Sequence, residues 1–262
     1  MILNDLEIVD VKRKIPLGVT NPYLVKCSNG KSYIAKFPGN PDGTKVLINE
    51  YICAELAKLL KLPVPNYELI NVPNIFQFKN ILTDIDMISG TVFCSEWLEK
   101  STKLPDYQIL TKIDNKYDPI KILIFDVIIG NNDRNEGNLL INLKNKTLVM
   151  IDHSHVFIKE ALWNAKNLKE LANEDFDLSK MNKITFDNLL LCLNDRNYVS
   201  TINEYVNEIK NISSENLDYI LSKIPNDWKI TVEEKESVKL FLLNRFKRVD
   251  KVCKLLGIEK GD

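Results

Sequence analysis

The sequence predicts a mixed α+β fold in two parts, a small sheet-rich part followed by a larger helical part. Three observations carry this prediction. In the first third of the chain, short apolar runs alternate with turn residues around a single helical segment, as strands do. From about residue 98 onward, the apolar residues mostly follow a helical period. With 262 residues, 45% of them hydrophobic, the chain can bury a substantial core. We therefore divide it at residues 1–97 and 98–262.

The sheet-rich part begins with a predicted strand at residues 5–15. Residues 23–27 and 32–37 are predicted to pair as a hairpin, because Asn29 and Gly30 lie between them and Asn-Gly favours a tight turn. Further short strands are predicted near residues 66–72 and 90–97.

One helix is predicted inside this part, at residues 44–61, between the hairpin and Pro63. Its predicted apolar face consists of Ile48, Ile52, Leu56 and Leu59.

In the second part, residues 117–129 are apolar on nearly every side, which predicts a helix buried in the core. A polar loop follows, and residues 139–143 and 148–151 then flank a turn as a second hairpin. The remainder is predicted to be helical. Its best-marked helix is at residues 232–256, where Thr231 and Glu234 form a capping box.

Two further helical features are predicted near the end of the chain. Ser213 or Ser214 is expected to cap a helix at residues 215–223. The basic residues between Lys239 and Arg248 are expected to form the solvated face of the last helix.

Composition excludes several classes of function. A net charge of −1 provides no strong attraction for nucleic acid or an anionic membrane. No apolar run approaches the length of a membrane span, and the first residues carry charges where a signal peptide has an apolar core. The five cysteines are scattered, which suits a reducing compartment, and with only two histidines no zinc pattern is present. We therefore expect a cytoplasmic protein without a membrane span or a nucleic-acid partner.

The residues that carry chemistry lie in two segments, NNDRNEGN at 131–138 and IDHSH at 151–155. Asp133 is followed five residues later by Asn138, and the predicted hairpin returns the chain to Asp152. Phosphoryl transfer from ATP needs a carboxylate to orient the attacking hydroxyl, and an amide and a second carboxylate to hold Mg²⁺. The hairpin would bring these groups together, so the pattern predicts a phosphotransferase.

This spacing resembles the catalytic and metal loops of protein-kinase-like enzymes. More narrowly, the segments NNDRNEGNLL and IDHSHVF look like the loops of phosphatidylinositol kinases, and residues 17–65 resemble the small lobe of HipA-like kinases. We therefore identify the chain with the HipA-like branch of the protein-kinase-like superfamily. The resemblance covers about residues 15–160, and it implies a two-lobed kinase-like fold that uses ATP and Mg²⁺.

The resemblance also implies roles for individual residues. Asp133 would be the catalytic base, and Asn138 and Asp152 would bind Mg²⁺. Arg134, also placed among the catalytic residues, would meet a phosphate or brace the loop. Lys36 would contact the α- and β-phosphates, and Glu50 on the following helix would pair with it.

The remaining nucleotide contacts are also implied by the resemblance. The candidate phosphate loop at residues 17–22 would use Gly18 and the hydroxyl of Thr20. The chain would cross between the lobes at three residues whose backbone would contact the adenine edge: Glu96, Trp97 and Leu98.

The sequence departs from the protein-kinase pattern at several points. The phosphate loop has one glycine, Asn-Asn-Asp replaces His-Arg-Asp, and Asp-His-Ser replaces Asp-Phe-Gly. Asp126 is expected to brace backbone amides of the 131–138 loop, and His153 and His155 are expected to support packing or the loop and not to bind zinc.

Several functional alternatives stay open. The resemblance to HipA-like kinases implies that the phosphate acceptor is a Ser or Thr of a protein. The likeness to phosphatidylinositol kinases leaves a lipid or another small alcohol open as the acceptor. A non-catalytic nucleotide-binding pseudokinase and a growth-arresting toxin kinase are further possibilities.

Overall fold

This computed structural model describes residues 6–16, 20–73, 89–191 and 198–258. Among them, the sheet-rich first part contains a five-stranded antiparallel sheet in the order β1-β2-β3-β5-β4. Its strands are β1 (Ile8–Lys14), β2 (Tyr23–Cys27), β3 (Ser32–Lys36), β4 (Tyr67–Val72) and β5 (Gly90–Glu96). The second part is mainly helical, so the predicted α+β class and the order of its two parts are confirmed.

The predicted hairpin between β2 and β3 is present. Cys27 N–H donates to the carbonyl of Lys31 at 2.9 Å, and Gly30 has a φ of 76°, which glycine adopts without steric cost. The Asn-Gly pair therefore sets the register that places Lys36 at the end of β3.

Helix α1 (Lys45–Leu59) follows β3. It ends where Lys61 takes a φ of 52° and Leu62 N–H turns back to the carbonyl of Ala57. The prediction for Leu59 was wrong, because its side chain is 45% exposed at the last turn. The other predicted face residues are buried, together with most of the helix.

A second, three-stranded sheet has the order β6-β7-β8. It contains the predicted hairpin of β7 (Leu139–Asn142) and β8 (Thr147–Met150) and one strand that was not predicted, β6 (Ser101–Lys103). Leu139 pairs with Met150, so the residues just outside the hairpin, Asn138 and Ile151, are also neighbours. The hairpin thus joins the two chemistry-bearing segments.

Helix α2 (Asp118–Ile129) is buried along almost its whole length, as predicted. It ends at Gly130, whose φ of 67° and ψ of 42° are left-handed. The chain then enters the 131–138 loop, so the end of α2 determines where this loop starts.

The remaining described α-helices pack on α2, on α1 and on one another. They are α3 (Ala165–Leu171), α4 (Lys183–Leu189), α5 (Tyr198–Lys210), α6 (Ser214–Ser222), α7 (Val232–Lys247) and α8 (Val249–Leu255). The capping boxes of α6, at Ser213, and α7, at Thr231, are both present.

The predicted helix at 232–256 is instead two helices that meet at Arg248. The guanidinium of Arg248 donates to the carbonyls of Ala172 and Glu174, both at 2.8 Å. The prediction of a solvated basic face was also wrong at Arg245, which is 2% exposed and donates to the carbonyls of Val127 and Ile128 at the end of α2.

Two hydrophobic clusters lie on either side of the five-stranded sheet. The smaller one contains residues of its strands, with Val25, Ala35 and Val92 fully buried. Helix α1 belongs to the larger cluster, which also contains α2 and the C-terminal helices. Among the described residues no helix is both long and apolar enough to cross a membrane. The division at residues 97 and 98 stays a prediction.

Candidate active site

Four polar side chains meet where β3, α1 and the segment after β8 come together. Lys36 forms the predicted ion pair with Glu50, and its ammonium also lies 2.9 Å from Asp152 Oδ1. Ser154 Oγ accepts a hydrogen bond from Lys36 at 2.7 Å and donates to Glu50 at 3.0 Å. The residues Lys36 and Asp152 are 116 positions apart in sequence.

These contacts determine the charges of the cluster. Burial alone would lower the pKa of Lys36, but the carboxylates of Asp152 and Glu50 raise it above its ordinary value. Burial would likewise raise the pKa of Asp152, but the ammonium of Lys36 holds it below its ordinary value. Lys36 and Asp152 are therefore both charged near neutral pH.

The 131–138 loop is held by hydrogen bonds between its own polar groups. Asn138 Nδ2 donates to the backbone carbonyl of Asp133 at 2.9 Å and approaches Asp133 Oδ2 at 3.4 Å. Asn138 also accepts from Ile151 N–H at 3.0 Å through its own carbonyl, which places Asn138 beside the start of the Asp152 segment. The side chain of Asp133 is 51% exposed, so a molecule from solution can reach its carboxylate.

Arg134 braces this loop from inside, which corrects its placement among the catalytic residues. Its side chain is 2% exposed and forms a bidentate pair with Asp126 at 2.8 and 3.0 Å. Its Nη1 donates to the carbonyls of Asn138, at 2.9 Å, and Ile151, at 2.7 Å. The guanidinium is therefore directed into the protein and not toward a phosphate.

The predicted bracing role of Asp126 needs a similar correction. Its carboxylate accepts from the side chains of Arg134 and Asn131, the latter at 2.8 Å, where backbone amides were expected. Burial alone would lower the pKa of Arg134, but Asp126 raises it, so Arg134 stays charged inside the protein.

His153 also supports the loop. Its Nε2 lies 2.9 Å from Arg134 Nη2, and because arginine only donates, Nε2 is the acceptor and the ring is neutral with its proton on Nδ1. Burial, together with the neighbouring Arg134, lowers the pKa of His153 well below its ordinary value. In the described part of the chain, no three His, Cys, Asp or Glu side chains form a metal-binding group.

Asn49 fixes the segment after Asp152 and was not predicted from the sequence. Its side chain has 0% exposure. Its Nδ2 donates to the carbonyls of Ser154, at 2.6 Å, and Glu160, at 3.1 Å, while its Oδ1 accepts from Trp163 Nε1 at 2.9 Å. Helix α1 therefore holds both Lys36, through Glu50, and the segment after β8, through Asn49.

Asn49 and Ser154 were missed for different reasons. Asparagine is abundant throughout this sequence, so a single Asn in a helix carries little information. Ser154 lies two residues after Asp152, in the Asp-His-Ser segment that replaces Asp-Phe-Gly. This position was the one indication in the sequence that Ser154 belongs to the site.

The predicted crossing residues lie where β5 leads into the three-stranded sheet. Three of their backbone groups are already engaged. Glu96 N–H donates to the carbonyl of Asn66 at 2.7 Å, and Trp97 N–H donates to the carbonyl of Ser32 at 2.9 Å. The Leu98 carbonyl accepts from Ser101 Oγ at 2.7 Å. The Glu96 side chain pairs with Lys31 at 3.0 Å. The expected contact with the adenine edge stays a prediction, and it would use the other backbone groups of these residues.

The predicted phosphate loop is described only in part. Thr20 is buried, with 3% exposure, in the connection between β1 and β2, which Ile15 N–H and the Pro22 carbonyl close at 2.8 Å. Gly18 lies outside the described residues.

The side chains around Asp152 fit a hard divalent cation such as Mg²⁺. Asp152 offers a charged carboxylate that is 31% exposed, and its φ of 59° is a left-handed conformation that costs a non-glycine residue free energy. The amide nitrogen of Asn138 faces Asp133, so its carboxamide oxygen is the atom available as a ligand.

Comparison with known proteins agrees with this geometry. A protein-family model described as HipA-like kinase matches residues 8–254. No curated protein sequence matches the chain. The fold is similar to that of the Helicobacter pylori proinflammatory kinase CtkA, with a TM-score of 0.55, 16% identity and 98% of each chain covered.

Two other solved structures share the fold. HipA of the Shewanella oneidensis MR-1 toxin–antitoxin system, solved with HipB and operator DNA, has a TM-score of 0.53 and 16% identity over 94% of this chain and 68% of the other. The Golgi casein kinase has a TM-score of 0.54 and 12% identity over 98% of this chain and 76% of the other. The fold is therefore kinase-like, and because the family model spans almost the whole sequence, this chain belongs to the HipA-like kinase family.

Proposed function

We propose that this protein transfers the γ-phosphate of ATP, with Mg²⁺, to a hydroxyl group, and that the favoured acceptor is a Ser or Thr of another protein. One observation carries the proposal: Lys36 from β3 reaches Asp152 after β8 at 2.9 Å, beside the loop that holds Asp133 and Asn138. Membership of the HipA-like kinase family supports a kinase-type phosphotransferase.

Each residue has a defined role in this proposal. Lys36, oriented by Glu50 and Ser154, would neutralise charge on the nucleotide phosphates. Asp152 and the carboxamide oxygen of Asn138 would hold Mg²⁺, which supplies positive charge against the phosphate oxygens. Because Lys36 and Asp152 contact each other, nucleotide binding must exchange part of this ion pair for contacts to the phosphates.

Asp133 would orient the acceptor hydroxyl and take its proton. Its carboxylate is half exposed, and the Asp126–Arg134 pair beneath it keeps the loop in place. This preorganisation lets the base act without rearrangement of the loop.

The acceptor and the cellular location belong to the same proposal. The net charge of −1 gives little attraction to an anionic membrane surface or to nucleic acid, which favours a protein acceptor in the cytoplasm over a membrane lipid.

The experiment is transfer of labelled γ-phosphate from Mg-ATP, with the protein alone and with a cell extract, for the wild type and Asp133→Asn. Label on protein in the wild type alone supports the proposal. Label only in the lipid or small-molecule fraction would move the activity to that class. Tight Mg-ATP binding without transfer would indicate a pseudokinase, and the absence of both would contradict the nucleotide site.

A further inference from the structure

The imidazole of His155 lies between two carboxylates that come from different parts of the chain. Its Nε2 is 3.3 Å from Asp42 Oδ2, and its Nδ1 is 3.9 Å from Oδ2 of Asp133, the proposed base. The side chain of His155 is 19% exposed, so this contact is partly shielded from water. Both ring nitrogens therefore face an acceptor.

Asp42 is presented by a preformed loop at residues 38–44, directly before α1. Asn40, which is 7% exposed, organises this loop: its Nδ2 donates to the carbonyls of Phe37 and Gly43, both at 2.9 Å. Its Oδ1 accepts from Asp42 N–H at 3.0 Å. Asp42 therefore reaches the second part of the chain from an ordered position.

His155 is also held from behind. The carbonyl of the preceding residue, Ser154, accepts from the buried Asn49 of α1 at 2.6 Å. The imidazole is thus fixed at the junction of both parts of the chain, beside a carboxylate that is itself half exposed.

We propose that His155 is a positioning residue that orients the carboxylate of Asp133 while Asp42 holds its other nitrogen, so that the base is correctly set only when the 38–44 loop is seated. This inference rests on the proposed function for the role of Asp133. It adds a residue and a loop to the phosphotransfer machinery that the Asp/Asn/Asp pattern does not contain.

The charges around the ring support this linkage. The interaction with Asp133, opposed by partial burial and assisted by Asp42, raises the pKa of His155 to about 9. Asp152, three residues earlier on the same segment, is engaged with Lys36. The ring is therefore a doubly protonated imidazolium near neutral pH, which donates to Asp42 and forms an ion pair with Asp133.

Proton NMR tests the geometry independently of activity. The chain has two histidines, so His155→Asn identifies the signals of His155 without further assignment. We expect His155 to titrate near the value of about 9, and Asp42→Asn and Asp133→Asn each to lower its pKa by about one unit or more. Titration of His155 at its ordinary value, or no response to Asp42→Asn, would overturn the linkage.

Kinetics test the role. We expect His155→Ala to lower kcat between about tenfold and a hundredfold while KM for ATP changes less than about twofold, since a misplaced group affects the chemical step. Asp42→Asn should lower kcat in the same way, and the double variant should be no worse than His155→Ala, because both act along one path. Asp187→Asn, an exposed site on α4, is the control.

The outcomes separate the two proposals. Unchanged kcat in both single variants, or additive losses in the double variant, would overturn the positioning role. If the wild type transfers no phosphate while His155 still titrates near 9, the proposed function fails and the structural linkage stands. Asp42→Asn alters a partly exposed loop residue, so its result remains interpretable even if His155→Ala does not fold.

Discussion

The hydroxyl of Ser154 connects the lysine and the helix glutamate of the candidate site. It is buried, with hydrogen bonds of 2.7 Å from Lys36 and 3.0 Å to Glu50. If alanine replaced Ser154, the Lys36 ammonium would keep its contacts with the carboxylates of Glu50 and Asp152. One of its N–H groups would lose its hydrogen-bond acceptor. Ser154 therefore orients Lys36 without changing its charge.

We predict that Ser154→Ala raises KM for Mg-ATP by about tenfold or more, with a smaller effect on kcat, since a hydrogen bond to a charged group is worth about 1.5–3 kcal/mol. Steady-state kinetics at varied Mg-ATP measure this. Ser179→Ala, which removes an exposed hydroxyl that contacts only the nearby Asp177, should leave KM unchanged. An unaltered KM in Ser154→Ala would show that Glu50 alone orients Lys36.

His155 makes the stability of the protein depend on pH. Its pKa is raised from 6.5 to about 9 in the folded state, so the ion pairs contribute fully below pH 6.5 and are lost as the pH rises through about 9. We predict that the wild type exceeds His155→Asn in free energy of unfolding at about pH 6, and that this difference fades above about pH 9. Urea unfolding at both pH values measures it, and a difference independent of pH would contradict the ion pairs.

At the residue scale, the spacing of Asp133, Asn138 and Asp152 was enough to propose a phosphotransfer centre. The pairing of Lys36 with Glu50 was implied by the family resemblance. The hairpin made the approach of residues 138 and 152 predictable from local sequence, and the ion pair of Lys36 with Glu50 is confirmed. Spacing did not decide between the two roles of Arg134, because only its burial against Asp126 distinguishes a brace from a phosphate ligand. Asn49 acts on residues more than a hundred positions away, which no local pattern encodes.

At the element scale, the end of α2 determines where the 131–138 loop begins. Gly130 has a φ of 67°, and a Cβ at this position would lie 2.6 Å from Ile158 Cγ1. Gly257, after α8, has a nearly identical φ of 66°, but no atom of the described residues lies within 4 Å of such a Cβ. An alanine at Gly257 would therefore introduce backbone strain only, whereas an alanine at Gly130 would introduce both backbone strain and a steric clash.

We predict that Gly257→Ala costs about 1–2 kcal/mol, the cost of a left-handed alanine. Gly130→Ala should cost about 1–3 kcal/mol more, since Ile158 must also move. Chemical denaturation of both variants measures the difference. Equal costs would mean that the segment around Ile158 yields freely, which would contradict its backbone hydrogen bond to Gly130 at 3.0 Å.

Helix α1 is attached to the segment after β8 through Asn49, whose three hydrogen bonds are all inside the protein. We predict that Asn49→Ala destabilises the protein by about 2–4 kcal/mol, because it leaves buried partners such as Trp163 Nε1 unpaired. Asn207→Ala, at an exposed site of α5, should stay within about 0.5 kcal/mol of the wild type. Thermal and urea unfolding measure the stability of both variants. Similar losses of stability would show that the three buried hydrogen bonds of Asn49 contribute little to folding.

Elements with strong local patterns were predictable, and those set by distant contacts were not. The Asn-Gly hairpin, the apolar α2 and the capping boxes of α6 and α7 follow from neighbouring residues. Strand β6 has three residues and exists because β7 pairs with it. The break between α7 and α8 follows from Arg248 reaching carbonyls about 75 residues earlier in sequence, at Ala172 and Glu174.

At the scale of the whole molecule, the two parts are joined by more than the chain crossing. Helix α1 contributes to the larger hydrophobic cluster, so the first part cannot separate without exposing that core. The turn before α7 is also bound to the start of β5. Asp227 accepts from Thr91 N–H at 2.6 Å and from Thr91 Oγ1 at 3.0 Å, and Trp228 Nε1 donates to the Thr91 carbonyl at 2.8 Å.

These contacts predict that both parts unfold in one cooperative transition. Far-UV circular dichroism, which follows all helices, and fluorescence, which is sensitive to the buried Trp163 and Trp228, should therefore give the same midpoint. Asp227→Ala should lower that midpoint by about 2–4 °C, as expected for a loss near 1 kcal/mol in a protein of this size, and keep the two signals coincident. Two separated transitions in the wild type would show that α1 does not couple the sheet to the helical part, and the Lys36–Asp152 contact would then depend on a junction that opens independently of global unfolding.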